Sequence, residues 1–275
     1  MRPYALVLSN DIVEKDKMLD VTKQTRDYVD GVKIGITSSM ESGIDAFAMA
    51  RDIVGDGPAI LADYKVADIG FYGKEKWSGT NEKIVRNLSE AGANYITCHS
   101  FMGLSSIEES VVTAHKYGSR VLTLPFMTNK GADLFFGMEL GVQQVEHILQ
   151  TVSDYGLERS EETIEFWNNL YDSKSVSDVI LSMGEQFGVD GYIGPGNNPE
   201  VLERYRMFSE KEIWSPGFGR QDKKGRDLET QIREWAEVVG PNSAMIVGSL
   251  IYKADDPALA AREVMEIRDR VVSEL

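Results

Sequence analysis

Pro58-Ala59-Ile60-Leu61-Ala62-Asp63-Tyr64-Lys65-Val66-Ala67-Asp68-Ile69-Gly70 begins as an apolar strand and ends with three charges inside six positions. Side chains alternate faces along a strand, so Asp63 and Lys65, two apart, point to the same side. A carboxylate then stands beside an ammonium just where a hydrophobic strand runs out. Burying such a pair is costly unless each charge is matched, and matched buried pairs also occur as plain structure. Read alone, the stretch is either a functional pair or an ion pair at a strand end.

Working outward, the same unit of short apolar run and amphipathic helical stretch recurs along the chain. Strand-like runs lie at about 4–9, 31–36, 58–62, 94–98, 120–124, 191–193, 212–214 and 244–247. Helical patterns follow at about 15–29, 40–54, from 80, 105–117, 138–155, up to 187, from 199, 227–239 and from 257 onward. The polar piece 158–175, between the fifth and sixth strands, reads as a helical insertion folded on the outside. Eight strands each followed by helix, with no Pro/Ser-rich linker, predict one α/β domain over residues 1–275, a closed (β/α)8 TIM barrel. A doubly wound open sheet is the alternative, but its glycine fingerprint after the first strand is missing. The Gly194-Pro195-Gly196 turn is weak evidence for a nucleotide loop.

Composition narrows the function classes. Of 275 residues, 42% are hydrophobic and 27% charged, which fits a soluble protein with ample core. A formal charge of −15 and no Lys/Arg-rich face argue against a nucleic-acid partner. A small anionic ligand needs only a local pocket of donors and is not excluded. Cys98 is the single cysteine, so neither an intrachain disulfide nor a cysteine-based zinc site is expected. No signal-peptide pattern and no apolar run of membrane-spanning length is present, so the expected location is the cytoplasm, with no membrane partner.

In a barrel of this kind chemistry collects at the C-terminal ends of the strands. Those ends carry Asp11, Lys33, Asp63, Lys65, Asp68, Thr128, Arg220, Gln221, Gly248 and Ser249. Lys33, Asp63, Lys65 and Asp68 make an alternating set of opposite charges if their strands are neighbours, each holding the next ionised. For any one of them a surface salt bridge is the simpler account. Together on adjacent strands they favour function.

At this point the chain resembles the orotidine 5′-phosphate decarboxylase family, in its archaeal-like branch. The Asp-x-Lys-x-x-Asp signature of that family stands as Asp63-Tyr64-Lys65-Val66-Ala67-Asp68, and its strand-two motif as Tyr28-Val29-Asp30-Gly31-Val32-Lys33-Ile34-Gly35. The turn after strand four looks like His99-Ser100-Phe101-Met102-Gly103, and the loop after strand five like Met127-Thr128-Asn129-Lys130-Gly131-Ala132. The Ser-Pro-Gly-x-x-x-Gln loop is Ser215-Pro216-Gly217-Phe218-Gly219-Arg220-Gln221. Each motif is weak alone; the ordered set spans nearly the whole chain and is specific.

The resemblance implies decarboxylation of orotidine 5′-monophosphate (OMP) to UMP, without metal or organic cofactor. Lys65 would protonate C6 of the pyrimidine after carbon dioxide leaves, and Asp63 would face the substrate carboxylate. Lys33 and Asp68 would complete the charged network, with Asp68 and Thr80 lent across a homodimer interface. Asp11 would contact the ribose, Thr128 the pyrimidine, and Gln221 would link that hydroxyl to the phosphate.

Three departures stand out. The family ends strand eight with Val-Gly-Arg-Ser-Ile-Tyr, whereas this chain reads Val247-Gly248-Ser249-Leu250-Ile251-Tyr252 and lacks that phosphate-clamping Arg. Arg220 or Lys223 is the candidate replacement. Residues 70–79 lengthen the loop after Asp68, placing it at the expected dimer interface. Gln221-Asp222-Lys223-Lys224-Gly225 is more charged than the usual Gln-Gly-Gly, with consequences for closure over phosphate.

Two rival readings share the fold. The keto-gulonate phosphate decarboxylase and hexulose phosphate synthase group binds magnesium and carries a Glu on strand two, where Lys33 stands here. The missing strand-eight Arg suggests a silent nucleotide-binding paralogue, and the intact four-charge set argues against one. His99 reads as a turn residue that packs its loop, His115 and His147 as surface or core, and the four tryptophans as packing.

Overall fold

The computed structural model describes residues 2–219 and 225–275. Eight parallel strands close on themselves in sequence order: β1 (Ala5–Asn10), β2 (Gly31–Gly35), β3 (Ala59–Val66), β4 (Tyr95–Cys98), β5 (Arg120–Thr123), β6 (Gly191–Ile193), β7 (Glu212–Pro216) and β8 (Ala244–Val247). The expected (β/α)8 barrel is what forms. Between the strands run α1 (Lys15–Thr25), α2 (Asp45–Val54), α3 (Thr80–Glu90), α4 (Leu104–Lys116), α9 (Pro199–Arg206), α10 (Leu228–Val239) and the final α12 (Pro257–Val272). The β5–β6 connection carries four helices, α5 (Asp133–Phe136), α6 (Val142–Asp154), α7 (Ile164–Tyr171) and α8 (Val176–Phe187), and α11 (Ser249–Tyr252) follows β8 directly.

Strand parity sorts the core into two layers. Odd-numbered residues of β1, β3 and β4 (Ala5, Val7, Ala59, Leu61, Tyr95) and even-numbered ones of β5, β7 and β8 (Leu122, Trp214, Ala244, Ile246) fill the barrel interior. The opposite faces, with Leu6, Leu8, Val32, Ile34, Ile60 and Ile96, pack outward against the helices. Both faces are dry, which is why the strands read as apolar runs rather than alternating ones. The floor is closed by Tyr95 against Trp214, ring centroids 4.4 Å apart, with Glu212 accepting from the Trp214 indole N–H at 2.9 Å and pairing with Arg120 at 3.0 Å.

Two differences from the sequence expectation have clear causes. The first helical pattern runs on to about 29, yet α1 stops at Thr25. Asp30 must reach back to accept from the Leu6 amide (2.9 Å) and from the buried Arg268 (2.8 Å), so the chain straightens before β2. The polar piece 158–175 holds α7, whose Phe166 and Leu170, four apart, are buried on α6 and α8 with Phe136, Val152 and Val179. Acidic residues ahead of it mask that short apolar stripe in the sequence.

Candidate active site

The interior-facing residues change character from floor to mouth. Along β2 and β3 the interior positions read Gly31, Lys33, Gly35 and Ala59, Leu61, Asp63, Lys65, and cross-strand register places Ser9 beside Lys33 and Gly35 beside Asp63. Period-two geometry therefore brings four charged groups onto the inner wall of three adjacent strands. The Lys33 ammonium lies 2.9 Å from Asp11 Oδ1 and 3.0 Å from Asp63 Oδ2. Asp63 Oδ1 lies 2.7 Å from Lys65 Nζ. The result is a continuous chain, Asp11–Lys33–Asp63–Lys65, with charges alternating along it.

Burial makes these pairs matter. The Lys33 side chain is 10% exposed and that of Asp63 14%, whereas Lys65 is 36% exposed at the open end. Burial pushes the Asp63 carboxyl upward, but Lys33 and Lys65 outweigh it and hold the group at about 2. Burial likewise pulls Lys33 down, and Asp63 and Asp11 overturn that, so its ammonium is held above the usual lysine value. Both groups are charged at neutral pH in a partly dry wall.

These residues line a cavity of about 220 Å³ at the mouth. Its charged side is Ser9, Asp11, Lys33, Asp63 and Lys65; its apolar side is Leu61, Leu124, Phe126, Met127, Ile193, Pro216 and Ile246, with Thr128 at the rim. Such a site suits a flat, partly apolar ring that presents an anionic or polar group to the charged wall. Ser9 was not among the sequence candidates; its hydroxyl donates to Asp11 Oδ2 at 2.8 Å. Its position two residues after buried Val7 is the parity signal that marks it.

The structure brings Asp11, Lys33, Asp63, Lys65 and Thr128 together. Within this one chain Asp11 joins the alternating set and Asp68 does not. Past the end of β3, Asp68 accepts from the Ile69 amide (2.7 Å) while its own amide donates to Asn81 (3.0 Å), and Ser106 donates to its carbonyl (3.1 Å). It and Thr80, the first residue of α3, do not line this chain's cavity. Gly248 caps α11 and Ser249 is its first residue; a β-carbon at Gly248 would lie against Ser9. Arg220, Gln221 and Lys223 lie outside the described residues.

The 70–79 loop folds back on its own side of the barrel. Tyr72 and Trp77 exchange backbone hydrogen bonds of 3.0 and 2.9 Å. Lys76 binds both carboxylate oxygens of Glu108 on α4, at 2.7 and 2.8 Å, and the same Glu108 accepts from Tyr155 at the end of α6. Beside this clasp, Ile69, Tyr72, Trp77, Phe101 and Met102 are all exposed. His99 packs on Phe101 (4.7 Å) and Phe136 (6.4 Å), as its turn position suggested, and burial with the Lys65 charge pushes it down to about 4.

A family model for the orotidine 5′-phosphate decarboxylase / HUMPS family matches residues 4–264. An orotidine 5′-phosphate decarboxylase of Pyrococcus abyssi is 30% identical over 263 residues, covering 95% of this chain and 97% of its own. One from Methanosarcina mazei is 26% identical over 267 residues, covering 96% and 95%. Among solved structures, the Methanocaldococcus jannaschii orotidine 5′-monophosphate decarboxylase complexed with inhibitor BMP superposes with a TM-score of 0.72 at 23% identity, covering 98% of this chain and all of the other. That last likeness speaks for the barrel, and the sequence matches run through every strand that carries the charged wall. The chain belongs to the orotidine 5′-phosphate decarboxylase / HUMPS family.

Proposed function

We propose that this protein is a carboxy-lyase that converts OMP to UMP, the closing step of pyrimidine nucleotide synthesis, with no metal or organic cofactor. The observation that carries this reading is the Asp11–Lys33–Asp63–Lys65 chain, with Lys65 the more accessible of its two ammonium groups. In the reaction the bond from C6 to the carboxylate breaks, carbon dioxide leaves, and the electron pair stays on C6. The Lys65 ammonium stabilises that charge as it develops and then gives its proton to C6, to be reprotonated from solvent. Asp63 faces the departing carboxylate, Lys33 keeps Asp63 ionised, and Asp11 is left to receive ribose hydroxyls. Thr128 is placed for the pyrimidine edge. Gly248, Ser249, Arg220 and Gln221 are assigned to the phosphate, whose binding supplies energy used at the reacting carbon.

The metal-dependent lyases of the same family are separated from this reading by Lys33. Its ammonium lies within 3.0 Å of both Asp11 and Asp63, the place a divalent cation would need, and a cation cannot share it. The test is direct. Purified protein should consume OMP and release UMP at the same rate before and after prolonged treatment with EDTA. Loss of activity on chelation, restored by magnesium, would transfer the chain to the metal-dependent group.

The homodimer is part of the proposal. Asp68 and Thr80 stand outside their own chain's cavity, next to the exposed apolar residues of the 70–79 and 99–103 turns, which suit a second copy of the chain. If Asp68 serves the partner's site, Lys65→Ala and Asp68→Ala are each inactive alone but complement each other. Mixed dimers contain one site with both residues intact. Refolding an equimolar mixture makes half the dimers mixed, so activity should recover to about a quarter of wild type. No recovery would place Asp68 in its own chain's chemistry.

A further inference from the structure

β3 and β4 fall out of register at the charged wall. Ala62 pairs with Ile96, and the next pair is Val66 with Cys98, so Asp63, Tyr64 and Lys65 together face the single residue Thr97. Lys65 lies within this irregularity. Its φ of +47° lies in the left-handed region, uncommon for a residue with a long side chain. A bulge of this kind leaves ladder groups unpaired, and a buried unpaired amide is costly.

Thr97 fills the gap with its side chain. Fully buried and facing the barrel interior, its hydroxyl accepts from the Lys65 backbone N–H at 2.9 Å and donates to Asp63 Oδ1 at 3.0 Å. The Ala62 carbonyl, at 3.5 Å, is the weaker acceptor for the same proton. One hydroxyl thus ties the backbone of the proton donor to the carboxylate that its own ammonium binds. Asp63 Oδ1 receives two donors, the Thr97 hydroxyl and Lys65 Nζ at 2.7 Å, while Oδ2 receives Lys33.

We infer that Thr97 is a positioning residue for the reaction: through its hydroxyl it fixes the strained Lys65 backbone and the Asp63 carboxylate in one mutual geometry. Thr97 itself is not part of the cavity lining, whereas Asp63 and Lys65, which it holds, are. Thr97 acts through Lys65, so its removal lowers the rate of the chemical step more than it weakens binding. The kinetic part of this inference rests on the decarboxylase reading.

The experiment compares Thr97→Val, which keeps shape and removes the hydroxyl, with Thr97→Ser, which keeps the hydroxyl. For OMP turnover, Thr97→Val should lower kcat by about 100-fold, the scale of a displacement of about 1 Å at a reacting group. KM should stay within about threefold, because uniform binding is untouched. Thr97→Ser should return kcat to within about threefold of wild type. A merely structural role would not split kcat from KM or be rescued by a smaller side chain. Should the valine variant fail to fold, Thr97→Ala removes the same hydroxyl and is read the same way. A second measurement needs no turnover: the Asp63 carboxyl, followed by carbon NMR against pH, should titrate higher in the hydroxyl-less variant and return in Thr97→Ser. If the wild type left OMP untouched, the decarboxylase reading would fail while this titration still judged Thr97. Wild-type kcat, or an unmoved Asp63 midpoint, in the hydroxyl-less variant overturns the assignment.

Discussion

Replacing Lys65 with alanine should lower kcat for OMP by about 10,000-fold, the upper end of what a positioned proton donor supplies. Lys65 is the one ammonium of the charged chain that is both held by a carboxylate and well exposed at the cavity. Asp63 fixes its ammonium at 2.7 Å, and Thr97 fixes its amide at 2.9 Å. The fold should survive the substitution. Without Lys65, Asp63 keeps Lys33 at 3.0 Å and the Thr97 hydroxyl at 3.0 Å, so no buried charge is stranded. A variant that melts like wild type and binds UMP, yet does not bleach the OMP absorbance, is the expected result. Undiminished bleaching would remove Lys65 from the chemistry, and the proposed mechanism with it.

Much of this was legible in the sequence because periodicity and charge placement agree. Asp63 and Lys65 were expected on one face from their spacing of two, and they meet there. Lys33 and Asp63 were expected to be close if their strands were neighbours, and the β2–β3 register delivers that. What could not be read depends on local departures from regular strand. Nothing in Asp63-Tyr64-Lys65 announces that three residues will face one, because register is settled by how β3 packs against β4. Thr97 was invisible for the same reason. In Tyr95-Ile96-Thr97-Cys98 it reads as an ordinary strand residue, and its role exists only once the ladder has slipped. Asp68 is the nearer in sequence to Lys65, but within one chain it is Asp11 that lies 2.9 Å from Lys33. α7 shows the limit of reading composition, since two buried residues four apart suffice to dock a short helix in a polar segment.

Asp63→Ala should cost about 3–5 kcal/mol of stability at pH 7, the penalty for breaking a buried ion pair from one side. Asp63 is the hub between two cations. Its removal leaves the Lys33 ammonium with Asp11 alone and sets it across an emptied site from Lys65. Linkage gives a consistent lower figure. A carboxyl held at about 2 in the folded chain and 3.8 in an ordinary setting contributes about 2 kcal/mol, at 1.36 kcal/mol for each unit. The deletion costs more because it also leaves the lysines uncompensated. The sign with pH follows from the depressed value. The contribution is fully present above about 3.8 and is lost as pH falls toward 2, because protonated Asp63 no longer attracts either lysine. Urea denaturation should therefore show the variant well below wild type at pH 7, and the gap should narrow when both are measured at pH 3. An alanine variant as stable as wild type at pH 7 would mean that the charged wall stores unfavourable electrostatics which the rest of the barrel offsets. Asp63 would then be kept for reaction alone, with no share in holding β2 and β3 together.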